Sequence, residues 1–417
     1  MPLVEITAMT FGPYGVGRID GKSVMVPHSV PGDLLDVTIE SEHGGYAIGR
    51  IVRVVAPGAA RRPPPCIFLP RCGGCDWQHI EYHEQLRLKA ETVVHEFRHA
   101  LGVELDAATL VEPAPSEFEY RSRVRLKVGR RGSIGLYESA SNRMVEIDRC
   151  LVADCRLESA ARLARALSRD LKEIEVVRQS EARQVLVAYL KKPAVAEQIR
   201  GVRRFLESDP STAGIVLRAD ESRTVVGDAQ LAIEIEPGVV LRSDADLFSQ
   251  VNRPQNQKLV RAALELAGPE PQCSMLDLFC GAGNFSIPAA RRGAQVTGVD
   301  ADAAAVAAAA RNAQRLGLAE THFVAMEARE LVAFLHRARS RPEIVLLDPP
   351  RTGAAELMEP IMRLRPARVV YVSCDVATLA RDLRMLCAEK YRVNHARAFD
   401  FFPNTHHVEI VASAVLT

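Results

Sequence analysis

Residues Ser274-Met275-Leu276-Asp277-Leu278-Phe279 run directly into Cys280-Gly281-Ala282-Gly283-Asn284-Phe285. The first six form a short, nearly continuous apolar run. That is the pattern of a strand buried on both faces of a parallel sheet. Gly-x-Gly follows at once, then a helical pattern. Strand, glycine turn and helix in that order make the cofactor loop of a doubly wound α/β sheet, whose ligands bind at the carboxyl ends of the strands. The third glycine of the dinucleotide fingerprint is missing, since position 286 is Ser. A nicotinamide dinucleotide is therefore disfavoured.

The same rhythm continues downstream. Strands are predicted over 295–299, 321–324, 344–347 and 367–372, with a helix over 301–316 ended by Gly317. Upstream, Phe248-Ser249-Gln250-Val251-Asn252 precedes a helix over 254–266. Asp300 closes the second strand, where an acid can accept both hydroxyls of a ribose. Glu327 lies just beyond the third strand, within reach of an adenine. The fourth ends in Asp348-Pro349-Pro350-Arg351, and Pro-Pro makes a rigid, extended turn. Exocyclic-amine methyltransferases place an aromatic after Asp-Pro-Pro, and Arg351 does not fit that branch. The fifth strand ends in Ser373-Cys374-Asp375 and passes into a helix over 376–386. A thiol there sits at a helix N-terminus, where the dipole and free N–H groups favour thiolate. A buried, inert cysteine is the competing reading of that run alone. Phe399 to Glu409 then leads into a strand over 410–415, which sets Glu409 on the same sheet edge as Cys374.

The chain has 417 residues, enough for two or three domains, and a net charge of +1. Any nucleic-acid surface is therefore a local patch. No run reaches the length of a membrane span, and Met-Pro-Leu-Val-Glu has no signal-peptide pattern. Nine cysteines, an odd number, suit thiols in a reducing cytoplasm better than a secreted disulfide framework.

Residues 1–57 alternate short strand-like runs with turns, among them Asp20-Gly21, a hairpin signal. Five such strands predict a small OB-type barrel. Gly-x-Gly-x-x-x-Gly, Val-Met-Val-Pro and Val-Pro-Gly-Asp resemble the TRAM domain of RNA-modifying enzymes. A Pro- and Arg-rich connector leads to Cys66-x5-Cys72-Gly73-Gly74-Cys75, with Cys150 and Cys155 far downstream. Four thiolates from such a set suit an iron–sulfur cluster or tetrahedral zinc. Zinc sites favour two Cys-x-x-Cys pairs, and the three-plus-one spacing favours a [4Fe–4S] cluster. Cys150 closes a strand and is preferred as fourth ligand over Cys155. A helix over 81–100 carries an apolar stripe of Leu86, Val93, Val94 and Phe97, with charged residues around the rest, and reads as a packing helix for the catalytic unit. Arg121, Arg123, Arg125 and Lys127 alternate, so a strand would present them as one cationic face suited to an RNA backbone. Residues 156–240 read as helix, two strands, helix and strand, continuing a central α+β unit over 58–240. The catalytic unit is expected over 241–417.

Four motifs in this order make the resemblance specific: Leu-Asp-Leu-Phe-Cys-Gly-Ala-Gly-Asn-Phe, Asp-Pro-Pro-Arg, Ser-Cys-Asp-x-x-Thr-Leu-x-Arg-Asp and Phe-Pro-x-Thr-x-His-Val-Glu. The chain resembles the RNA uracil-5-methyltransferases along its whole length. It is most similar to the branch with a TRAM barrel and a [4Fe–4S] site, which methylates 23S ribosomal RNA. Asp375-Val376 stands where that family has Asn-Pro, and neither side chain makes or breaks a bond. The resemblance implies a Rossmann-like S-adenosylmethionine methyltransferase domain behind the barrel and the central domain. It implies Gln250, Phe279, Gly281, Gly283, Asn284, Asp300, Glu327 and Asp348 around the cofactor. It also implies Cys374 as nucleophile, Glu409 as base, and Cys66, Cys72, Cys75 and Cys150 on the cluster.

The chemistry agrees with these residues. Uracil C5 is a poor nucleophile until a thiolate adds to C6, and a base must then take the C5 proton. One thiol and one carboxylate suffice, and Cys280 belongs to the cofactor loop. The target base must leave its stack to be reached. A monomer acting in the cytoplasm on ribosomal RNA is the expectation. A transfer-RNA target and a non-catalytic RNA-binding factor are the alternatives.

Overall fold

The computed structural model describes residues 2–417. Leu3–Met9, Tyr14–Ile19, Lys22–Pro27, Leu34–Glu42 and Tyr46–Ala56 close a five-stranded barrel, the last two strands being neighbours and Leu34–Glu42 returning to the first. Alternate residues such as Val4, Ile6, Val24, Val26, Leu35 and Val37 fill its interior. Asp20 and Gly21 both have positive φ, as a two-residue hairpin of the twisted type requires. Gly17 is forced by proximity: a Cβ there would lie 2.4 Å from the Glu5 carbonyl oxygen. The Asp33 carboxylate is buried and accepts from Arg61, Val30 N and Gly58 N, which ties the connector to the barrel.

The central unit is a seven-stranded sheet, ordered Ser222–Gly227, Thr212–Ala219, Gln184–Leu190, Leu171–Arg178, Arg123–Val128, Ile134–Tyr137 and Met144–Glu146. Helices Glu158–Leu167 and Ala196–Ser208 cover one face. The other face packs against a hairpin, Gln230–Glu236 and Val239–Asp244, which in turn meets Ile287 and Ala313 of the catalytic unit. The unit boundary expected at residue 240 therefore cuts through this hairpin. Both its strands alternate, so nothing in their pattern signals that they form one wedge.

The catalytic sheet has eight strands, ordered Thr321–Ala325, Gln295–Asp300, Ser274–Leu278, Ile344–Leu347, Arg368–Ser373, Glu409–Leu416, Tyr391–Phe399 and Val111–Glu112. Glu409–Leu416 runs antiparallel to both neighbours, and the remaining pairings are parallel. The edge strand Val111–Glu112 comes from the segment before the central sheet. Helix Tyr82–Leu101 crosses to the same unit. Its Ala90, Val93 and Phe97 join the core formed by Leu379, Leu383 and the sheet. The stripe differs in detail from the one expected. Leu88 and Ala90 are buried while Leu86 is half-exposed, and Lys89 lies inside.

Candidate active site

Ser373 pairs with Ile410 in the antiparallel ladder. The next step of that register sets Cys374 abreast of Glu409. Cys374 is half-buried and immediately precedes Asp375, whose carboxylate caps helix Val376–Cys387 by accepting from Thr378 N at 2.9 Å. The residue that departs from the family pattern thus performs a helix-capping task.

Burial pushes the Cys374 thiol up to about 11, and the neighbouring Glu409 carboxylate adds to the rise. Arg351 works against them through its positive charge. Sequence reasoning treated Arg351 only as a departure from the aromatic after Asp-Pro-Pro. The structure turns its guanidinium towards the thiol, with Nη2 3.4 Å from His407 Nε2. Glu409 is buried, which pushes its carboxyl well above the usual range, and Asp348 raises it further. Asp348 is itself pushed up to about 7 by burial, opposed by the amide of Gln250 3.4 Å from its Oδ2. A half-buried thiol, a cation and two buried carboxyls with raised proton affinity thus share one sheet edge. Such clusters suit proton abstraction and nucleophilic attack.

Beside them is a cavity of about 70 Å³. Gln250, Phe279, Gly281, Asn284 and Asp348 line it. Phe279 has φ 66°, a strained conformation for a bulky residue, which turns the chain from the strand into the glycine loop. Gly281 has φ 53° with open space where a Cβ would stand, and its N–H donates to Asp300 Oδ2 at 2.9 Å. Gly283 packs tightly on Ile287 and does not line the cavity. Asp300 lies behind the loop. Glu327 is exposed at the start of helix Ala328–Arg337, outside the cavity. Asn284 and Asn256 exchange two amide hydrogen bonds, 2.8 and 3.0 Å, which hold the loop to helix Arg253–Ala267. The far wall, Ile233, Ile235, Leu241 and Ser243, comes from the wedge hairpin. Apolar alternation looks the same over any core, so the sequence carried no sign of this role.

The four cysteines Cys66, Cys72, Cys75 and Cys150 line a second cavity, of about 160 Å³. Burial pushes Cys75 up to about 12, against a hydrogen bond from Gln78, and the Cys150 and Cys72 sulfurs are near enough to raise it further. Cys155 does not line this cavity. Its Sγ lies 3.3 Å from the Ser122 carbonyl oxygen, facing a different pocket. Among the described residues no three His, Cys, Asp or Glu side chains converge as they would on one metal ion. The four thiols do line one cavity, and an all-sulfur donor set fits an iron–sulfur group.

The expected cationic face is a correction. Arg123 is buried and pairs with Glu175 at 2.7 Å, while donating to the carbonyls of Leu247 and Ala245. Arg125 and Lys127 both pair with Glu173. The acids stand on the neighbouring strand Leu171–Arg178, so a run read by itself could not show its neutralisation. Arg125 also lies over the Tyr189 ring at 3.9 Å.

Comparison with known proteins supports one family. A profile for tRNA (uracil-5-)-methyltransferases matches residues 118–415. The chain is 35% identical to the 23S rRNA (uracil(1939)-C(5))-methyltransferase of Pseudomonas aeruginosa, over 95% of this chain and 90% of that protein. It is 32% identical to the same-named enzyme of Thiobacillus denitrificans, over 99% of each. Among solved structures, the Pyrococcus abyssi tRNA (uracil-54, C5)-methyltransferase in complex with S-adenosyl-L-homocysteine superposes with a TM-score of 0.75. It is 25% identical and covers 99% of this chain and 100% of its own. The doubly wound sheet, the closed barrel and the family match together place this chain in the tRNA (uracil-5-)-methyltransferase family.

Proposed function

We propose that the protein transfers a methyl group from S-adenosylmethionine to C5 of a uridine in 23S ribosomal RNA. Two registers carry this reading: Ser373–Ile410 sets Cys374 by Glu409, and Leu347–Tyr371 ends the strand before Asp348 and Arg351 at the same edge, beside the glycine-loop cavity. The Cys374 thiolate, favoured by Arg351, adds to C6 and forms the S–C bond. The electron pair moves through the ring to make C5 nucleophilic. C5 attacks the sulfonium methyl in line, and the thioether leaves with the bonding pair. The Glu409 carboxylate then takes the C5 proton, and the ring expels the thiolate. Asp348 and Gln250 hold the donor end, while Phe279, Gly281, Gly283, Asn284, Asp300 and Glu327 are assigned to its remainder.

Cys66, Cys72, Cys75 and Cys150 would hold a [4Fe–4S] cluster. Through iron–thiolate bonds these residues would tie the 66–75 loop to the turn at Cys150. The barrel over 1–57 is assigned to RNA contact. One chain supplies every residue of this scheme, which suits a monomer, and its free thiols suit the cytoplasm. No described helix is long and apolar enough to cross a membrane.

The test uses 5-fluorouridine-substituted 23S ribosomal RNA with S-adenosylmethionine. A denaturation-resistant adduct is expected, absent in Cys374→Ala. No adduct with wild type, or an undiminished one with Cys374→Ala, sinks the mechanism. A transfer-RNA target is the second reading, favoured by the full-length likeness to the Pyrococcus abyssi enzyme. Adduct formed on fluorinated transfer RNA and not on the ribosomal RNA would select it. Iron and sulfide in anaerobically purified protein are expected, and stoichiometric zinc without iron would exclude the cluster.

A further inference from the structure

Residues 400–406 lead into Glu409, yet they are held largely from outside the catalytic unit. Asn404, buried with φ 67°, donates its N–H to Gln85 Oε1 at 2.8 Å and its amide to the Glu117 carbonyl at 2.8 Å. Its own carbonyl accepts from Asp76 N at 3.2 Å and Trp77 N at 3.0 Å. The Asp76 carboxylate then grips the next turn. Oδ1 accepts from His406 N at 3.0 Å, and Oδ2 lies 2.5 Å from His406 Nδ1. Asp76 directly follows Cys75, one of the four thiols of the second cavity. On the other side the His406 ring lies 4.1 Å from that of His407, which meets the Arg351 guanidinium beside Cys374. A continuous set of contacts thus joins the thiol cavity to both catalytic groups.

We infer that Asp76 is a positioning residue that transmits occupancy of the four-thiol cavity to Glu409 through His406. The inference rests on the cluster and Cys374–Glu409 readings above. Its physical basis is short. Asp76 shares a peptide bond with Cys75, so a held sulfur restrains the carboxylate that fixes His406. Cys72-Gly73-Gly74-Cys75 carries two adjacent glycines and relaxes readily once its sulfurs are released. A shift on the order of 1 Å at a reacting group costs up to about a hundredfold in rate.

The experiment compares full-length protein as purified with protein stripped by chelator, using amide hydrogen exchange. Exchange over residues 403–409 is expected to rise on stripping, while the Gln295–Asp300 strand stays unchanged. Asp76→Ala is expected to show raised exchange over 403–409 before stripping, with full iron and sulfide. Its kcat should fall about tenfold at unchanged KM for S-adenosylmethionine. Asp76→Asn keeps one acceptor oxygen and should fall between. His406→Ala leaves the residues beside the cavity intact and should reproduce the loss of kcat. Iron-loaded protein whose 403–409 exchange ignores stripping overturns the coupling alone, as does wild-type kcat in both alanine variants. Protein without iron and sulfide overturns the cluster reading and the coupling together.

Discussion

Lys89 Nζ lies 2.5 Å from Asp400 Oδ1, and neither side chain is reached by solvent. Lys89 also donates to the Phe402 carbonyl at 3.1 Å. The pair bolts helix Tyr82–Leu101 to the turn that leads to Glu409. Removing one partner leaves a buried charge alone, which costs about 3–5 kcal/mol. Lys89→Ala is therefore expected to lower the unfolding free energy by that much, read from the fall in the urea midpoint. Lys89→Met combined with Asp400→Leu should recover most of the loss, because an apolar pair of similar volume needs no compensation.

The thiol at Cys374 titrates under opposing neighbours: Glu409 and Asp348 raise it, and Arg351 lowers it. Iodoacetamide reacts with the thiolate, so labelling of the free protein should climb with pH towards about 11. Glu409→Gln removes a negative charge and should speed labelling at pH 8. Arg351→Met removes the cation and should slow it. Mass spectrometry of the Cys374 peptide reads both, and equal rates in the two variants would contradict the arrangement.

Asp348 is buried with its carboxyl pushed up to about 7, above its unfolded value. A raised carboxyl is neutral and unpenalised at low pH, and the folded state loses stability as pH rises through the window between the two values. Asp348→Asn should therefore melt higher than wild type at pH 8, and the gap should narrow as pH falls to 5. The same change removes a charge that raises Glu409. The acid limb of the kcat/KM profile should move to lower pH, with reduced maximal activity from lost donor contacts.

The two loop glycines should fail differently. A Cβ at Gly283 would stand 2.8 Å from Ile287 Cγ1 at φ 96°, so Gly283→Ala is expected to lower the melting temperature. At Gly281 the space is open and the left-handed conformation costs about 1–2 kcal/mol. Since Gly281 lines the cavity, its alanine variant should chiefly raise KM for S-adenosylmethionine. Calorimetry and steady-state kinetics separate the two outcomes.

The catalytic strands were legible because parallel strands buried on both faces are short apolar runs, and 344–347 matched its strand to the residue. Barrel strands were found for a similar reason, their turns being marked by Asp20-Gly21 and its like. What escaped the sequence was pairing across distance. Lys89 looked like part of a charged helix face because its partner lies in residues 400–409. Arg123, Arg125 and Lys127 looked like a free cationic row because Glu173 and Glu175 arrive from the next strand. Arg351 drew notice only by not being aromatic, since its contact with Cys374 depends on two strand ends meeting. The wedge hairpin was split because each of its strands alternates like any other.

The strand Glu409–Leu416 follows every other strand of its sheet in the chain, yet it lies between Arg368–Ser373 and Tyr391–Phe399. During synthesis that slot stays empty until the final strand emerges, and Glu409 arrives with it. The barrel, the four cysteines of the thiol cavity and the glycine loop all precede Glu409 in the chain. The edge that Glu409 shares with Cys374 is therefore the last part of the sheet to be supplied by the chain.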